Sequence, residues 1–451
     1  MEIIQTVVNY VLSFKPYVLL PFILLIFSLI FHIPVSKAIK SSLTIGIGFI
    51  GIFIIFDYFV EAIGPAVQAM VSRTGLHFNV LDVGWTPLAA IAWSYSLAPL
   101  LIILIMLVNF IMLAFKLTKT VNIDIWNFWH FIFTCTMVYE ATGNLPLALG
   151  ATLFATVITL KLADWSAEAV RSFSGLHGIS ISTLSGVVYY PIGIIGDNLL
   201  NKVPYLRNLN ADPDSIKRKL GTLGEPMVIG FLMGIILGIG SGYELKNVLE
   251  LAFQISAVIF ILPMMAGILG QGLMPISDGM KDFMKKKFPN IGETYIGLDL
   301  AVIIGNNSVI VTGLLLMPVA LLLSFVLPGI KFIPLGDLAN IIGAVVMVVV
   351  ATKGNVIRSV IICIPIMAGK LYAATYMAQL YTQLAQKANL SFKGYAGAIT
   401  SFLDGGNLFR LWILRLAQGN LIAILFIPVI VCILVLAMKT ATTSVNNDLK
   451  D

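Results

Sequence analysis

The chain has 451 residues, of which 59% are hydrophobic and only 11% are charged, and its mean hydropathy is +0.97. Soluble domains carry about 25% charged residues, so this composition excludes an ordinary soluble protein. The net charge of +6 does not indicate a nucleic-acid-binding protein, because the basic residues cluster at the ends of apolar blocks, as orientation signals do. We therefore expect an all-α polytopic membrane protein that binds no nucleic acid and is surrounded by membrane lipid.

The first predicted elements are two apolar blocks, residues 17–31 and 43–59. The next segment, residues 61–83, is too polar to span a bilayer and too apolar to be a free loop. A long apolar block follows over residues 85–115 and is again predicted to cross the membrane.

From residue 126 to residue 160 the chain is apolar, but the sequence Gly-Asn-Leu-Pro at 143–146 interrupts it. Helices do not run undisturbed through such a sequence, which predicts a helix break there. Residues 202–219 are polar and rich in basic residues, so we expect an exposed cytoplasmic linker.

Landmarks in the first part of the chain recur after the linker, which predicts an internal duplication. Pro16, Pro65 and Met70 recur at one constant displacement as Pro226, Pro275 and Met280. Further matches follow in the same order: Leu-Asp at 81–82 and 298–299, Asp124 and Asp337, Ala-Thr-Gly-Asn at 141–144 with a similar sequence at 351–355, and Gly196, Asn198 and Leu199 with Gly405, Asn407 and Leu408. The predicted divisions are a first repeat (1–201), the linker (202–219), a second repeat (220–410), an extra C-terminal transmembrane helix (411–438) and a cytoplasmic tail (439–451).

Basic residues predict how the two repeats are oriented. Arg73 is the only basic residue in the loop after the second apolar block, whereas the equivalent loop of the second repeat carries four lysines: Lys281, Lys285, Lys286 and Lys287. By the positive-inside rule these loops lie on opposite faces of the membrane, so the repeats are inverted and each crosses an odd number of times. Five crossings per repeat plus the extra helix give about eleven, with the N-terminus outside and the C-terminus inside.

The strongest candidate site is the stretch GETYIGLDLAVIIGNNSV, residues 292–309. Asp299, Asn306 and Asn307 lie here in apolar surroundings, where an unpaired polar group costs several kcal/mol. Gly297 and Gly305 on either side of Asp299 indicate a broken or re-entrant helix. Substrate contact is one interpretation, and a structural pairing with backbone or another helix is the alternative.

Other polar residues in apolar segments extend the candidate set, and each has the same structural alternative. Asp82, with Thr86 nearby, is the repeat counterpart of the Asp299 region. Glu140 and Asn144 lie at the predicted helix break. His177 lies in a glycine-flanked segment, and His130 lies among aromatic residues. Phosphate-binding loops, zinc-protease motifs and EF-hand loops are missing from the sequence, and the three cysteines lie far apart in apolar segments. We expect no cofactor and no metal.

Five segments of the sequence resemble the membrane (IIC) component of the galactitol phosphotransferase system. They are LHFNVLDVGWTPLAAIAW (76–93), NFWHF with YEATGN (127–144), GLHGISISTLSG (175–186), GLDLAVIIGNNSVIVTGLLLMP (297–318) and SFLDGGNLFR (401–410). The wider group includes the ascorbate-specific IIC proteins. The similarity covers nearly the whole chain.

The resemblance implies a sugar-alcohol permease of the bacterial inner membrane that depends on phosphoenolpyruvate. A phosphoryl group would pass from a IIA histidine to a IIB cysteine and then to galactitol held by IIC, which releases galactitol 1-phosphate. IIA and IIB would be separate proteins, so this chain shares in the catalysis without carrying phosphate itself. The resemblance also implies a homodimer and an elevator-like motion.

Within this scheme, Asp299 or Glu140 would accept the proton of the substrate hydroxyl, and the other candidates would hold the polyol by hydrogen bonds. On physical grounds alone, an ion-coupled secondary transporter of a small polar solute stays open as the alternative. There the membrane carboxylates would bind H⁺ or Na⁺.

Overall fold

The computed structural model describes residues 16–73, 78–207, 225–287, 294–390 and 397–448, together with single residues 10, 14 and 222. Helices make up most of this part of the chain. In the first half they are α1 (Pro16–Ile30), α2 (Val35–Ser72), α3 (Trp85–Ser94), α4 (Ala98–Ala114), α5 (Trp129–Thr142), α6 (Leu145–Ser174), α7 (Leu184–Val187), α8 (Tyr190–Leu200) and α9 (Pro204–Arg207).

The second half contains α10 (Pro226–Gly240), α11 (Leu245–Lys287), α12 (Asn307–Val326), α13 (Ile341–Ala351), α14 (Val356–Lys387), α15 (Leu408–Ala417) and α16 (Leu421–Asp448). Short 3₁₀ helices, Ile125–Phe128 and Leu300–Val302, precede α5 and α12. The strands are β1 (Val80–Asp82), β2 (Thr120–Asn122), β3 (Ile179–Ile181), β4 (Tyr295–Leu298) and β5 (Ala398–Thr400).

Within the described residues, six helices are long and apolar enough to cross a membrane: α2, α6, α11, α12, α14 and α16. The number is seven if α3 and α4, which meet at a bend of 97°, form one broken span. This agrees with a helical, multi-pass membrane protein but does not reproduce eleven full-length spans. Helices such as α1 and α10 have 15 residues each, fewer than the roughly 20 that a straight span requires.

The second apolar block is longer than the sequence indicated. Helix α2 continues through Pro65 to Ser72, so residues 61–72, which the hydropathy pattern separates from the second apolar block, belong to the same helix. Of the predicted linker, residues 202–207 are described and include α9; its remaining residues lie outside the described part of the chain.

Helices α2 and α11 pack closely along each other, α1 packs against α2, and α10 packs against α11. Glycine makes this approach possible: a Cβ atom on Gly48 would lie 2.7 Å from the backbone nitrogen of Leu269. A side chain at this position would therefore force the two helices apart.

Short parallel strands join the two halves of the chain. Strand β4 from the second half lies between β2 and β3 from the first half. In the other sheet, β1 from the first half pairs with β5 from the second. Because each sheet pairs strands from both halves, it brings together residues that are far apart in the sequence.

Equivalent helix starts recur in both halves. Gly143 and Gly354 both have left-handed backbone, and the asparagine that follows each one, Asn144 or Asn355, accepts a hydrogen bond from the backbone three residues later. This is the geometry of a helix N-cap.

Strands β3 and β5 also occupy equivalent places, because each pairs with the strand that carries the Leu-Asp sequence of the other half. With Leu81 placed on Leu298, their strand partners Ile399 and Ile181 are equivalent, which matches Gly186 to Asp404. This register differs from the sequence comparison, which matched Gly405 to Gly196.

Candidate functional site

A cavity of about 400 Å³ lies between helices α1 and α2 and the polar segments that adjoin the strands. Leu20 of α1 and Phe49, Ile52, Phe53 and Asp57 of α2 form one wall. The opposite wall is formed by residues around the 3₁₀ helices, α5, α7, α13 and α14. Mostly apolar walls with a few converging polar groups are typical of a small-ligand site.

Asp299 follows β4 and faces this cavity with its carboxylate already held in place. Its Oδ2 atom accepts hydrogen bonds from Asn127 Nδ2 at 2.8 Å and from Thr183 Oγ1 at 2.9 Å. Its Oδ1 atom accepts from the backbone nitrogen of Ala301 at 2.8 Å, which caps the 3₁₀ helix. The two halves of the chain thus meet at this carboxylate.

Asp124 is a second carboxylate in the same wall. Its Oδ2 atom accepts a hydrogen bond from Asn127 Nδ2 at 2.8 Å, the nitrogen that also serves Asp299. Asp124 and Asn127 are both buried. Two carboxylates bridged by one amide group repel each other, and the surrounding donors offset that repulsion.

A second carboxylate pair, Asp82 and Asp337, occupies the equivalent place in the other sheet. Asp82 accepts from the backbone nitrogens of Asp337, Phe402 and Gly84. Asp337 accepts from Ser401 Oγ at 2.7 Å and from three further donors, which belong to Trp85, Leu403 and Asn340. Both carboxylates are buried and neither lines the cavity, so this pair holds loops together.

Charged residues of the second half and His130 form another side of the cavity. Lys370, in the middle of α14, donates from Nζ to the backbone oxygen of Leu403 at 2.8 Å and lies 4.6 Å from the centre of the Tyr189 ring. Arg410 donates to the backbone oxygen of Asp404 at 2.7 Å and lies 3.2 Å from His130 Nδ1. Lys370, Asp404 and His130 all line the cavity.

Three of the residues that the sequence singled out lie at the cavity: Asp299, Thr86 and His130. Asp82 is buried but does not line the cavity; its carboxylate accepts a hydrogen bond from the backbone nitrogen of Asp337 and so holds that loop. Asn306 caps α12 by accepting from the backbone nitrogen of Ser308 at 2.9 Å, and Asn307 is exposed.

The remaining candidates lie away from the cavity. Both carboxylate oxygens of Glu140 accept hydrogen bonds from Lys387 Nζ, at the far end of α14. Asn144 is an exposed helix cap. His177 is exposed, and its backbone oxygen accepts a hydrogen bond from Ser277 Oγ.

Sequence reasoning missed several polar residues that line the cavity: Asp57, Asp124, Asn127, Thr183, Ser185, Asn340, Lys370 and Asp404. A signal existed for Asp57 and Lys370, since each is a charged residue within a long apolar helix. No such signal marks Asn127 or Thr183, because their approach to Asp299 depends on strand pairing. Within the described residues, no group of three or more His, Cys, Asp and Glu side chains is arranged to hold a metal ion.

Known membrane proteins resemble this chain along most of its length. Residues 10–395 match the family model described as PTS system sugar-specific permease component. The chain is 35% identical over 431 residues to a putative permease IIC component of Escherichia coli (strain K12), covering 96% of this chain and 98% of that relative. It is 36% identical over 408 residues to the PTS system galactitol-specific EIIC component of the same organism, covering 90% of both chains.

Proposed function

The chain belongs to the family of PTS sugar-specific permease components, and from this premise we propose that it translocates galactitol or a closely similar polyol. The polyol is then presented to the phosphocysteine of a separate IIB protein and released into the cytoplasm as its phosphate ester. A separate IIA protein recharges IIB. The family membership supports the class of reaction, and the 36% identity with a galactitol-specific component supports the choice of polyol.

One observation carries the proposal: hydrogen-bonding groups from both halves of the chain converge on a single cavity. Asp124 and Asp299 offer acceptor oxygens, Asn127 bridges the two carboxylates, and Thr183 donates a hydrogen bond to Asp299. Each hydroxyl of a polyol is one donor and an acceptor, so it pairs with such groups without a charge of its own. The apolar remainder of the wall excludes water around the carbon chain.

The substrate-binding residues in this proposal are Asp299, Asp124, Asn127, Thr183, Thr86 and His130. Glu140, Asn144, His177, Asn306 and Asn307 are left out because the cavity does not include them. Asp82 acts indirectly, by fixing the loop that contains Gly336 and Asn340 in the cavity wall.

We also propose that the two halves form an inverted repeat with about eleven membrane elements, counting the short helices, and with the divisions given by the sequence. Helices α1 and α10 have equal lengths, and they begin at Pro16 and Pro226, which the sequence comparison paired. The cross-pairing of β4 with β3 and of β1 with β5 supports a two-fold relation between the halves. The lysine distribution supports a cytoplasmic C-terminus in the bacterial inner membrane.

The position of the cavity supports an elevator-type movement. Its first wall belongs to α1 and α2, which pack with α10 and α11 into one layer. The groups proposed to bind the polyol belong to the other wall. Sliding of that second wall along the first would carry the polyol across the membrane, and the layer of long helices is the proposed homodimer-forming part.

The experiment is reconstitution of the purified chain in proteoliposomes with candidate IIA and IIB proteins, phosphoenolpyruvate and a panel of hexitols and pentitols. We expect a phosphorylated hexitol, and galactitol as the preferred one. No phosphorylated product with any polyol would contradict the proposal. Uptake of free polyol that requires an H⁺ or Na⁺ gradient would instead support secondary transport.

A further inference from the structure

The cavity has a positively charged end that the proposed polyol-binding groups do not explain. Lys370 is only 1% exposed, yet it lies in the middle of α14, a helix long and apolar enough to span a membrane. A lysine at such a position is costly and usually faces a polar cavity with a function. Its ammonium group makes one hydrogen bond within the described residues, to Leu403 O, and can donate further hydrogen bonds into the cavity.

The internal repeat does not account for this charge. Helices α6 and α14 follow equivalent caps and begin at Leu145 and Val356, so the counterpart of Lys370 is Thr159. The pairing of β3 and β5 with the two Leu-Asp strands makes Gly186 the counterpart of Asp404. Both counterparts are neutral, whereas each half contributes one aspartate to each of the two carboxylate pairs. The charged end therefore breaks the symmetry of the cavity.

Within the described residues, the Oδ1 atom of Asp404 forms no hydrogen bond. This Oδ1 atom is buried and lies 3.6 Å from His130 Nδ1. Buried polar atoms are nearly always hydrogen-bonded, and an exception in a cavity wall indicates a group that a ligand satisfies. Asp404 is 8% exposed and lines the same cavity as Lys370.

We propose that the Lys370–Asp404 end of the cavity is where the terminal hydroxyl of the polyol receives its phosphoryl group. Asp404 Oδ1 accepts the proton of this hydroxyl as its oxygen attacks phosphorus. The new O–P bond forms while the S–P bond of the IIB phosphocysteine breaks, and the cysteine sulfur leaves as a thiolate with the electron pair. Asp404 later returns the proton to water, and Lys370 balances the negative charge of the phosphoryl oxygens.

Charge favours this end over the opposite one. A phosphoryl group near Asp124 and Asp299 would be repelled by two carboxylates, whereas Lys370 and Arg410 supply positive charge beside Asp404. Arg410 also fixes the segment, because it donates to the backbone oxygen of Asp404. The polyol would then lie with its reacting end at Lys370 and its other end at Asn127.

This inference rests on the proposed function, and its test separates binding from transfer. The unaltered chain, Lys370→Gln and Asp404→Asn are compared in two assays: equilibrium binding of labelled galactitol without IIB, and single-turnover transfer from phosphorylated IIB. Lys387→Gln, which removes an exposed lysine from the end of the same helix, is the matched control.

We expect both cavity variants to bind galactitol within about tenfold of the unaltered chain, because each loses at most one hydrogen bond to a neutral hydroxyl. Transfer should fall at least a hundredfold in both, and Lys387→Gln should change neither assay. Retained galactitol binding also shows that the variants are folded.

Transfer at the unaltered rate in either variant would overturn this assignment. Loss of binding together with transfer would overturn it as well, because the residue would then hold the substrate or the fold rather than serve the phosphoryl step. If the unaltered chain transfers no phosphoryl group to any polyol, the result contradicts the proposed function itself, and with it this inference.

Discussion

Asn127 joins the two halves of the chain by donating a hydrogen bond from Nδ2 to Asp299 Oδ2 over 2.8 Å. The same nitrogen lies 2.8 Å from Asp124 Oδ2. One amide group from the first half therefore orients an acidic pair that spans both halves. Because this pair lines the cavity, we expect polyol binding to depend on the association of the halves.

We predict that Asp299→Asn lowers the affinity for the polyol at least tenfold, or about 1.4 kcal/mol. The carboxylate accepts hydrogen bonds on both oxygens, and a carboxamide would place an NH₂ group against the donors of Asn127 and Thr183 or of Ala301. Equilibrium binding of labelled galactitol measures the effect. Asn307→Ala, which removes an exposed carboxamide outside the cavity, should leave the affinity unchanged; equal losses in the two variants would contradict this site.

We predict that Asp82→Ala destabilises the protein by about 2–4 kcal/mol, because it leaves buried backbone donors of Phe402, Asp337 and Gly84 without acceptors. Thermal unfolding in detergent should show a clearly lower midpoint. The exposed carboxylate variant Glu168→Gln serves as control and should unfold at the same temperature as the unaltered chain. An unchanged midpoint for Asp82→Ala would show that other groups hold these loops.

Glu140→Gln should have little effect on transport or stability. Its carboxylate, on a side chain that is 17% exposed, pairs with Lys387, whose side chain is 67% exposed, and ion pairs that reach solvent contribute about 0–1 kcal/mol. Uptake and phosphorylation measured in proteoliposomes should match the unaltered chain within a factor of two. A loss as large as that expected for Asp299→Asn would return Glu140 to the catalytic site.

Two alanine substitutions on α2 should have different effects on stability. Gly48→Ala should cost about 1–3 kcal/mol, because the new Cβ atom would lie 2.7 Å from Leu269 N of α11. Gly64→Ala should be neutral or slightly stabilising, since no atom of the described residues lies within 4 Å of its Cβ position and alanine favours the helix. Thermal unfolding of both variants checks the packing of α2 on α11; similar midpoints would contradict it.

Local patterns in the sequence were sufficient for the membrane class and for the helix break at Gly143. Hydropathy marks the spans directly, and Gly-Asn-x-Pro carries its own turn and cap chemistry. The same patterns misplaced the end of α2, because Pro65 does not interrupt that helix. Apolar composition also did not show that helices such as α1 and α10 are too short to cross the membrane on their own.

The candidate site was predicted only in part, for a physical reason. Asp299 is evident because an acidic residue in an apolar stretch needs partners. Asn127 and Thr183 give no such signal, and only the pairing of β4 with β2 and β3 brings them to Asp299. Glu140 gave the same signal as Asp299, yet its partner is Lys387 at the end of α14.

The most direct test of the central claim is the chemical form of the labelled polyol that accumulates inside proteoliposomes containing this chain with its IIA and IIB partners. We expect galactitol phosphate, formed only when phosphoenolpyruvate and IIB are present and unaffected by collapse of ion gradients. Accumulation of unmodified galactitol that disappears when the H⁺ or Na⁺ gradient is removed would contradict the claim.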